Sequence, residues 1–208
     1  MLPNALAHGG PMMWLILLAG AAGIAVFVER FLYCHRAQIN TAEFLNGVRT
    51  VFKRDNVLEA VSICEATPGP VARLVRTAIL NRDQGRERLR ETLAVTGQGE
   101  VARLEQRLDL LATLARLAPL LGLLGTVLGF MSVFQQVEAA GLNAQINALS
   151  AGIWRALTCT AAGLAVAIPL QAGHNYLVNR VGAIVSEMER VATEALHMVT
   201  EGNGTRSA

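Results

Sequence analysis

The sequence has little charge and few aromatic residues for its size. Of 208 residues, 16% are charged and 5% are aromatic, whereas 52% are hydrophobic. A soluble domain carries charge on about a quarter of its residues, so this composition favours membrane helices. The net charge of +2 is small, and the sequence has no basic patch with interleaved aromatic residues. A nucleic-acid-binding protein is therefore not expected.

Sequence patterns for metal binding, disulfides and catalysis are also missing. The three cysteines, Cys34, Cys64 and Cys159, are isolated, without a CxxC pair or a histidine at ligand spacing. Such an odd, scattered set favours packing residues in a reducing compartment over a disulfide framework or a zinc site. The sequence contains no Ser/His/Asp set, phosphate loop or GxGxxG motif. We therefore expect no metal, no cofactor and no enzymatic activity.

Three segments are long and apolar enough to form helices that cross a lipid bilayer. A bilayer core of ~30 Å needs about 20 apolar residues in a helix. The sequence predicts membrane helices at 12–31, 117–136 and 150–176. The first segment lacks a basic n-region and a cleavage site, which favours a retained helix over a signal peptide. Glu29 and Arg30 are expected to close this helix with a local ion pair rather than to take part in a relay.

The distribution of positive charge predicts the orientation. Of the 18 Lys and Arg residues, 14 lie between Arg30 and Arg116, and three follow the third segment. The tail 1–11 and the connection 137–149 contain none. Because positively charged loops stay in the cytoplasm, both of these segments are predicted to be periplasmic. The region 37–116 and the C-terminal helix and tail at 177–208 are then cytoplasmic.

The region 37–116 is expected to be helical throughout. Apolar residues recur at three-to-four spacing on both sides of the helix breaker TPGP, Thr67 to Pro70. A stripe of apolar positions from Val101 leads directly into the second membrane segment, and a similar stripe follows the third from Val181. We predict an all-α membrane protein with three transmembrane helices, the second and third long and extending into a cytoplasmic helical bundle.

The second predicted membrane helix carries a threonine among glycines. Gly125 and Gly129 form a GxxxG pair, with Gly122 three residues earlier. Small residues on one face allow another helix to approach closely. Inside a membrane, van der Waals packing rather than the hydrophobic effect holds helices together. Thr126 lies on or beside that face. Its hydroxyl either points at neighbouring helices or bonds its own backbone one turn back.

On the third helix, the hydroxyls of Thr158 and Thr160 likewise either point at neighbouring helices or bond their own backbone. Thr160 shares a face with three small residues, Ala156, Gly163 and Ala167. Two such helices, each with a hydroxyl near mid-membrane, can line a narrow polar path. A hydroxyl both donates and accepts hydrogen bonds, so it orders water without the insertion cost of a charge. The pair therefore indicates a route for protons or another ion.

The two threonine-bearing segments resemble a known family. "LARLAPLLGLLGTVLGFMSVF" and "GIWRALTCTAAGLAVAIPLQAGHNY" are similar to the MotA/TolQ/ExbB proton-channel family, and most similar to its ExbB/TolQ branch, over roughly residues 112–176. The resemblance implies a bacterial inner-membrane channel or stator subunit that converts proton motive force into mechanical work. By motif position, Thr126 and Thr160 would line the ion pathway. Pro169 would bend the third helix.

The resemblance also implies partners. A homopentamer would enclose the membrane helices of a single-span ExbD- or TolR-like protein in a pore lined by the second and third helices. The partner's membrane aspartate would take up the proton, and its outer domain would act on the periplasm or outer membrane. A TonB- or TolA-like transducer would be a further partner.

Arg155 departs from the family pattern. It stands in "WRAL", where the ExbB/TolQ branch usually has glutamate. A cation about 7.5 Å inside the third helix would repel protons. Alternatively, Arg155 extends to the outer interface beside Trp154, or pairs with an acid on the partner or with Glu138. A non-conducting scaffold for the partner is therefore the alternative function.

Overall fold

The computed structural model describes residues 10–37, 39–54, 56–140 and 146–204. Regular secondary structure in these ranges is entirely α-helical. The helices are α1 (Gly10–Ala37), α2 (Thr41–Lys53), α3 (Val57–Ala66), α4 (Pro70–Leu80), α5 (Arg86–Glu105), α6 (Leu108–Ala140) and α7 (Ile146–Gly204).

Three helical stretches of the described chain are long and apolar enough to cross a membrane. They are Pro11–Ala37, Arg86–Ala139 and Leu149–Thr200. The predicted all-α fold with three membrane helices is thereby confirmed. The exact membrane boundaries and the orientation stay predictions.

The second apolar stretch is two helices, because the chain turns at Gln106 and Arg107 between α5 and α6. Arg107 has a φ of 66°, a left-handed conformation that few non-glycine residues adopt. The apolar stripe from Val101 therefore does not enter the second membrane segment along one continuous helix. No proline or glycine marks this turn in the sequence, so apolar spacing alone could not reveal it.

The chain divides into two compact units. The first comprises the described residues of Met1–Arg30 and Arg107–Tyr176, which include most of α1, all of α6 and the first part of α7. The second comprises those of Phe31–Gln106 and Leu177–Ala208, with the end of α1, helices α2 to α5 and the rest of α7. The second unit has its own apolar core, which includes Leu74, Leu89, Leu104 and Val191 at no more than 1% exposure.

The TPGP breaker separates α3 from α4, as its residues predict. Pro70 is the first residue of α4, where its fixed φ and missing N–H are tolerated. Gly69 has a φ of 121°, and a Cβ there would lie 2.9 Å from the carbonyl oxygen of Ala37. Only glycine fits both the backbone conformation and the close approach. The turn is therefore packed directly against the end of α1.

A buried carboxylate joins α4 to α5. The side chain of Glu100 is 8% exposed and accepts hydrogen bonds from Arg73, at 2.9 and 3.1 Å, and from Arg103, at 2.7 Å. A buried carboxylate is stable only when it is paired and hydrogen-bonded. The two arginines supply both requirements.

Candidate functional site

Helices α6 and α7 approach at the level of their backbones. A Cβ added to Gly163 would lie 2.7 Å from the carbonyl oxygen of Ala118 and 2.9 Å from Cα of Gly122. A Cβ added to Gly122 would lie 3.0 Å from the carbonyl oxygen of Cys159 and 3.1 Å from Cα of Thr160. Neither glycine can carry a side chain without moving the facing helix.

The close approach continues along α6. Added Cβ atoms would lie 2.7 Å from Cβ of Cys159 at Gly125, and 2.8 Å from Cβ of Ala156 at Gly129. The small-residue face of α6 therefore packs against the small-residue face of α7. Direct backbone contact of this kind brings polar groups of one helix within reach of the other.

Thr126 and Thr160 meet at this contact. The Thr126 hydroxyl lies 3.0 Å from the carbonyl oxygen of Gly122, and the Thr160 hydroxyl lies 3.2 Å from the same atom. The two hydroxyls also hydrogen-bond to each other. Both alternatives considered for Thr126 are therefore realised together: it contacts its own backbone one turn back and a neighbouring helix. Both side chains are half-buried.

The two hydroxyls and the carbonyl oxygen of Gly122 form the Thr126–Thr160 cluster. Its hydrogen bonds can run in either of two directions. A carbonyl oxygen has two lone pairs, and one serves the helical N–H four residues later. One acceptor position on Gly122 then remains for two hydroxyl protons. Either Thr126 donates to the carbonyl and accepts from Thr160, or the roles are exchanged. Such a reversible chain of hydroxyls can hold and reorient water or pass a proton along a polar path.

Thr158 lies outside this cluster, although the sequence placed it beside Thr160. Its hydroxyl donates to the carbonyl oxygen of Trp154, 2.7 Å away and one turn back on α7. This bond is common for threonine in membrane helices. Thr158 and Thr160 therefore differ in their surroundings, which makes Thr158 a natural control.

Arg155 is exposed on α7. It precedes Thr160 by five residues, which places the two side chains about 140° apart around the helix. Within the described part of the chain Arg155 forms no ion pair, with Glu138 or with any other residue. Pro169 is exposed inside α7, and the helix continues past it to Gly204.

Sequence reasoning missed the contact of α1 with α7. Gly20 lies against Val166, where an added Cβ would be 3.1 Å from a methyl group, and Gly23 lies against Leu170 at 2.6 Å. Gly173 of α7 lies in turn against the ring of Phe27, at 2.8 Å. The small residues of "AGAAG" in α1 are the signal that could have indicated this interface.

The expectation that α1 closes at Glu29 and Arg30 is wrong, because the helix continues to Ala37. Glu29 accepts a hydrogen bond from Arg107, 78 residues later and beside the turn before α6. Both side chains are half-exposed. Sequence spacing cannot indicate such a pair.

Metal ligands and reactive thiols are not grouped in the described ranges. No set of three His, Cys, Asp or Glu side chains there could hold a metal ion. Cys34, Cys64 and Cys159 are free thiols, and all three are buried. Burial raises the pKa of Cys64 to about 11, only partly opposed by the charge of Arg76. A thiol with so high a pKa is a poor nucleophile at neutral pH.

Residues 66–190 match the model of the MotA/TolQ/ExbB proton channel family. The chain belongs to this family. The matched region contains the Thr126–Thr160 cluster and also α4, α5 and most of α7, so the family likeness extends beyond the two membrane segments that first indicated it. Together with its three apolar helices, this membership makes the chain a multi-pass membrane protein of a transport-associated family.

Relatives carry the names of the ExbB/TolQ branch. A Methanothermobacter thermautotrophicus protein named as an ExbB homolog is 28% identical over 88% of this chain and 65% of its own length. The Tol-Pal system protein TolQ of Haemophilus influenzae is 42% identical over 41% of this chain and 37% of its own. The biopolymer transport protein ExbB of Neisseria gonorrhoeae is 27% identical over 88% of both chains. The chain thus spans less than two thirds of the first two relatives.

Proposed function

We propose that this chain is the channel or stator subunit of a proton-driven motor in the bacterial inner membrane. Its N-terminus is periplasmic and its C-terminus cytoplasmic, in line with the positive charge in residues 30–116. Five copies surround the membrane helices of an ExbD- or TolR-like partner. Proton flow through this complex drives mechanical work on the periplasm or outer membrane, with a TonB- or TolA-like transducer as a further partner.

The Thr126–Thr160 cluster is the observation that carries this proposal. It places two hydroxyls from different helices on one carbonyl oxygen, inside the region that matches the family. In the assembled complex the partner's membrane carboxylate passes this cluster. The hydroxyls donate to that carboxylate when it is charged and accept from it when it is protonated. No ionised group of this chain is then needed at the pathway.

Removal of either hydroxyl tests the proposal. We expect Thr126→Ala and Thr160→Ala each to abolish proton flux through the chain–partner complex without preventing assembly. The Ser variants retain the hydroxyl and keep the flux. Thr158→Ala is the matched control, because within the described ranges its hydroxyl bonds its own helix backbone, at the carbonyl oxygen of Trp154. Normal flux in both cluster variants would reject a role for these hydroxyls.

A non-conducting scaffold is the second candidate, and the exposed Arg155 supports it. This cation has no ion-pair partner among the described residues and follows Trp154, which is 66% exposed. If it points into the pore of the assembled complex, like-charge repulsion excludes protons. The scaffold predicts no flux in the wild type and recovery of flux in Arg155→Glu. If Arg155 instead anchors its helix at the membrane interface, we expect the wild type to conduct protons and Arg155→Gln to change that flux little.

A further inference from the structure

The second unit contains a cavity of about 470 Å³ where the end of α1 packs against the TPGP turn. Its polar walls come from four helices: Tyr33 and Arg36 of α1, Glu65 of α3, Arg73 and Arg76 of α4, and Glu100 of α5. The close packing of Gly69 on Ala37 fixes the position of the turn. The cavity is therefore part of the folded unit, and its size is that of a small-ligand site.

The walls of the cavity carry excess positive charge. Arg73 pairs with Glu100 at 2.9 Å, and Arg76 pairs with Glu65 at 2.7 Å. Glu100 is also paired with Arg103, so its charge is already shared between two cations. Arg36 has no ion-pair partner in the described part of the chain. The cavity walls thus carry three guanidinium groups and two carboxylates, and one further anion would balance the remaining positive charge.

The side chains from α1 lie at the expected depth of lipid headgroups. Tyr33 and Arg36 follow the predicted end of the first membrane segment, residue 31, by two and five residues in the same helix. A helical rise of 1.5 Å per residue places them roughly 3 and 7.5 Å beyond it. The headgroup layer on each side of a bilayer is about 5–8 Å thick. Tyrosine and arginine are also the residues that anchor helices at this layer.

We infer that this cavity binds the phosphate of an anionic phospholipid from the adjoining leaflet. The planar guanidinium of Arg36 can donate two parallel hydrogen bonds to phosphate oxygens. Phe31 and Leu32, 38% and 49% exposed on the same helix, offer apolar surface to the acyl chains. A zwitterionic lipid carries the same phosphate but no net charge to complement the cavity.

Native mass spectrometry of the detergent-purified full chain tests the inference. The chain is titrated with phosphatidylglycerol and with phosphatidylcholine of the same acyl chains. We expect phosphatidylglycerol to bind more tightly, and Arg36→Gln to weaken it about fivefold, as expected for one arginine at a membrane surface. Arg116→Gln is the matched control. Arg116 is an exposed arginine beside the second predicted membrane segment and outside the cavity.

Because Arg36 makes no ion pair in the described chain, its variant should fold normally, which a thermal unfolding curve verifies. Equal binding of phosphatidylglycerol by Arg36→Gln and wild type would overturn the inference. Equal binding of the two lipids by the wild type, or equal weakening in Arg116→Gln, would also overturn it. Millimolar inorganic phosphate should not displace the lipid; displacement would identify free phosphate as the ligand and reject the membrane lipid.

Discussion

At the scale of single residues, Gly163 sets the distance between α6 and α7. An alanine Cβ there would lie 2.7 Å from the carbonyl oxygen of Ala118, a backbone atom that cannot rotate away. We expect Gly163→Ala to push the helices apart and lower the unfolding temperature of the detergent-purified chain. Gly182 is a control on the same helix, with open space at the Cβ position.

Gly182→Ala should be neutral or stabilising by about 0.5–1 kcal/mol, because alanine costs less backbone entropy in a helix. Equal unfolding temperatures for the two variants would show that α6 and α7 are not in backbone contact at Gly163.

Cys64 gives a prediction for pH dependence. Burial raises the pKa of its thiol from 9.0 to about 11, so the thiolate fraction at pH 8 is about 100-fold lower than in the unfolded chain. We expect iodoacetamide to label Cys64 slowly in the native protein, with a rate that increases up to about pH 11. Peptide mass mapping, with and without denaturing detergent, measures this directly.

The same pKa shift has a consequence for stability. Between pH 9 and about 11 the unfolded chain releases the Cys64 proton and the folded chain retains it. The contribution of this thiol to the free energy of unfolding is therefore fully present below pH 9, and it is lost as pH rises through that window. Native labelling as fast as in the denatured chain would contradict the burial of Cys64.

At the scale of helices, Glu100 holds α4 and α5 together through Arg73. Glu100→Ala removes the carboxylate that Arg73 and Arg103 share; because both arginines are more than half exposed and water can solvate them, we expect it to destabilise the second unit by about 1 kcal/mol. Hydrogen exchange in α4 and α5 should accelerate accordingly. Glu87→Ala, an exposed position on the same helix, should leave the exchange unchanged. Equal exchange in both variants would mean that this buried ion pair does not stabilise the unit.

Apolar run length and breaker residues predicted most of the helices. Long apolar segments identified α1, α6 and α7, and TPGP identified the boundary between α3 and α4. The turn at Gln106 and Arg107 and the extension of α1 to Ala37 were not predictable in this way. Neither is encoded by proline, glycine or a change of apolar spacing, and both depend on contacts between segments distant in the sequence.

The candidate site, like the fold, was only partly predictable from the sequence. Helical periodicity placed Thr126 and Thr160 on small-residue faces, and family resemblance indicated their role. That both hydroxyls reach the carbonyl oxygen of Gly122 depends on the rotation and offset of two helices. Side-chain packing sets those parameters, and a single sequence does not express them.

At the scale of the whole molecule, the first unit exposes large apolar side chains that water would not tolerate in such number. Phe134, Trp154 and Ile168 are 70%, 66% and 68% exposed. Lipid and other membrane helices are the surfaces that can cover such side chains. In the proposed pentamer around a single-span partner, lipid, neighbouring copies of the chain and the partner's membrane helix together cover these side chains.

The most direct test of the proposed function is proton flux into cells that express this chain with an ExbD- or TolR-like single-span protein. A partner variant with its membrane aspartate changed to asparagine is measured in parallel. A proton-driven motor predicts flux that disappears in this variant while the complex still co-purifies. No flux from a wild-type complex that co-purifies intact would contradict proton conduction and favour the scaffold.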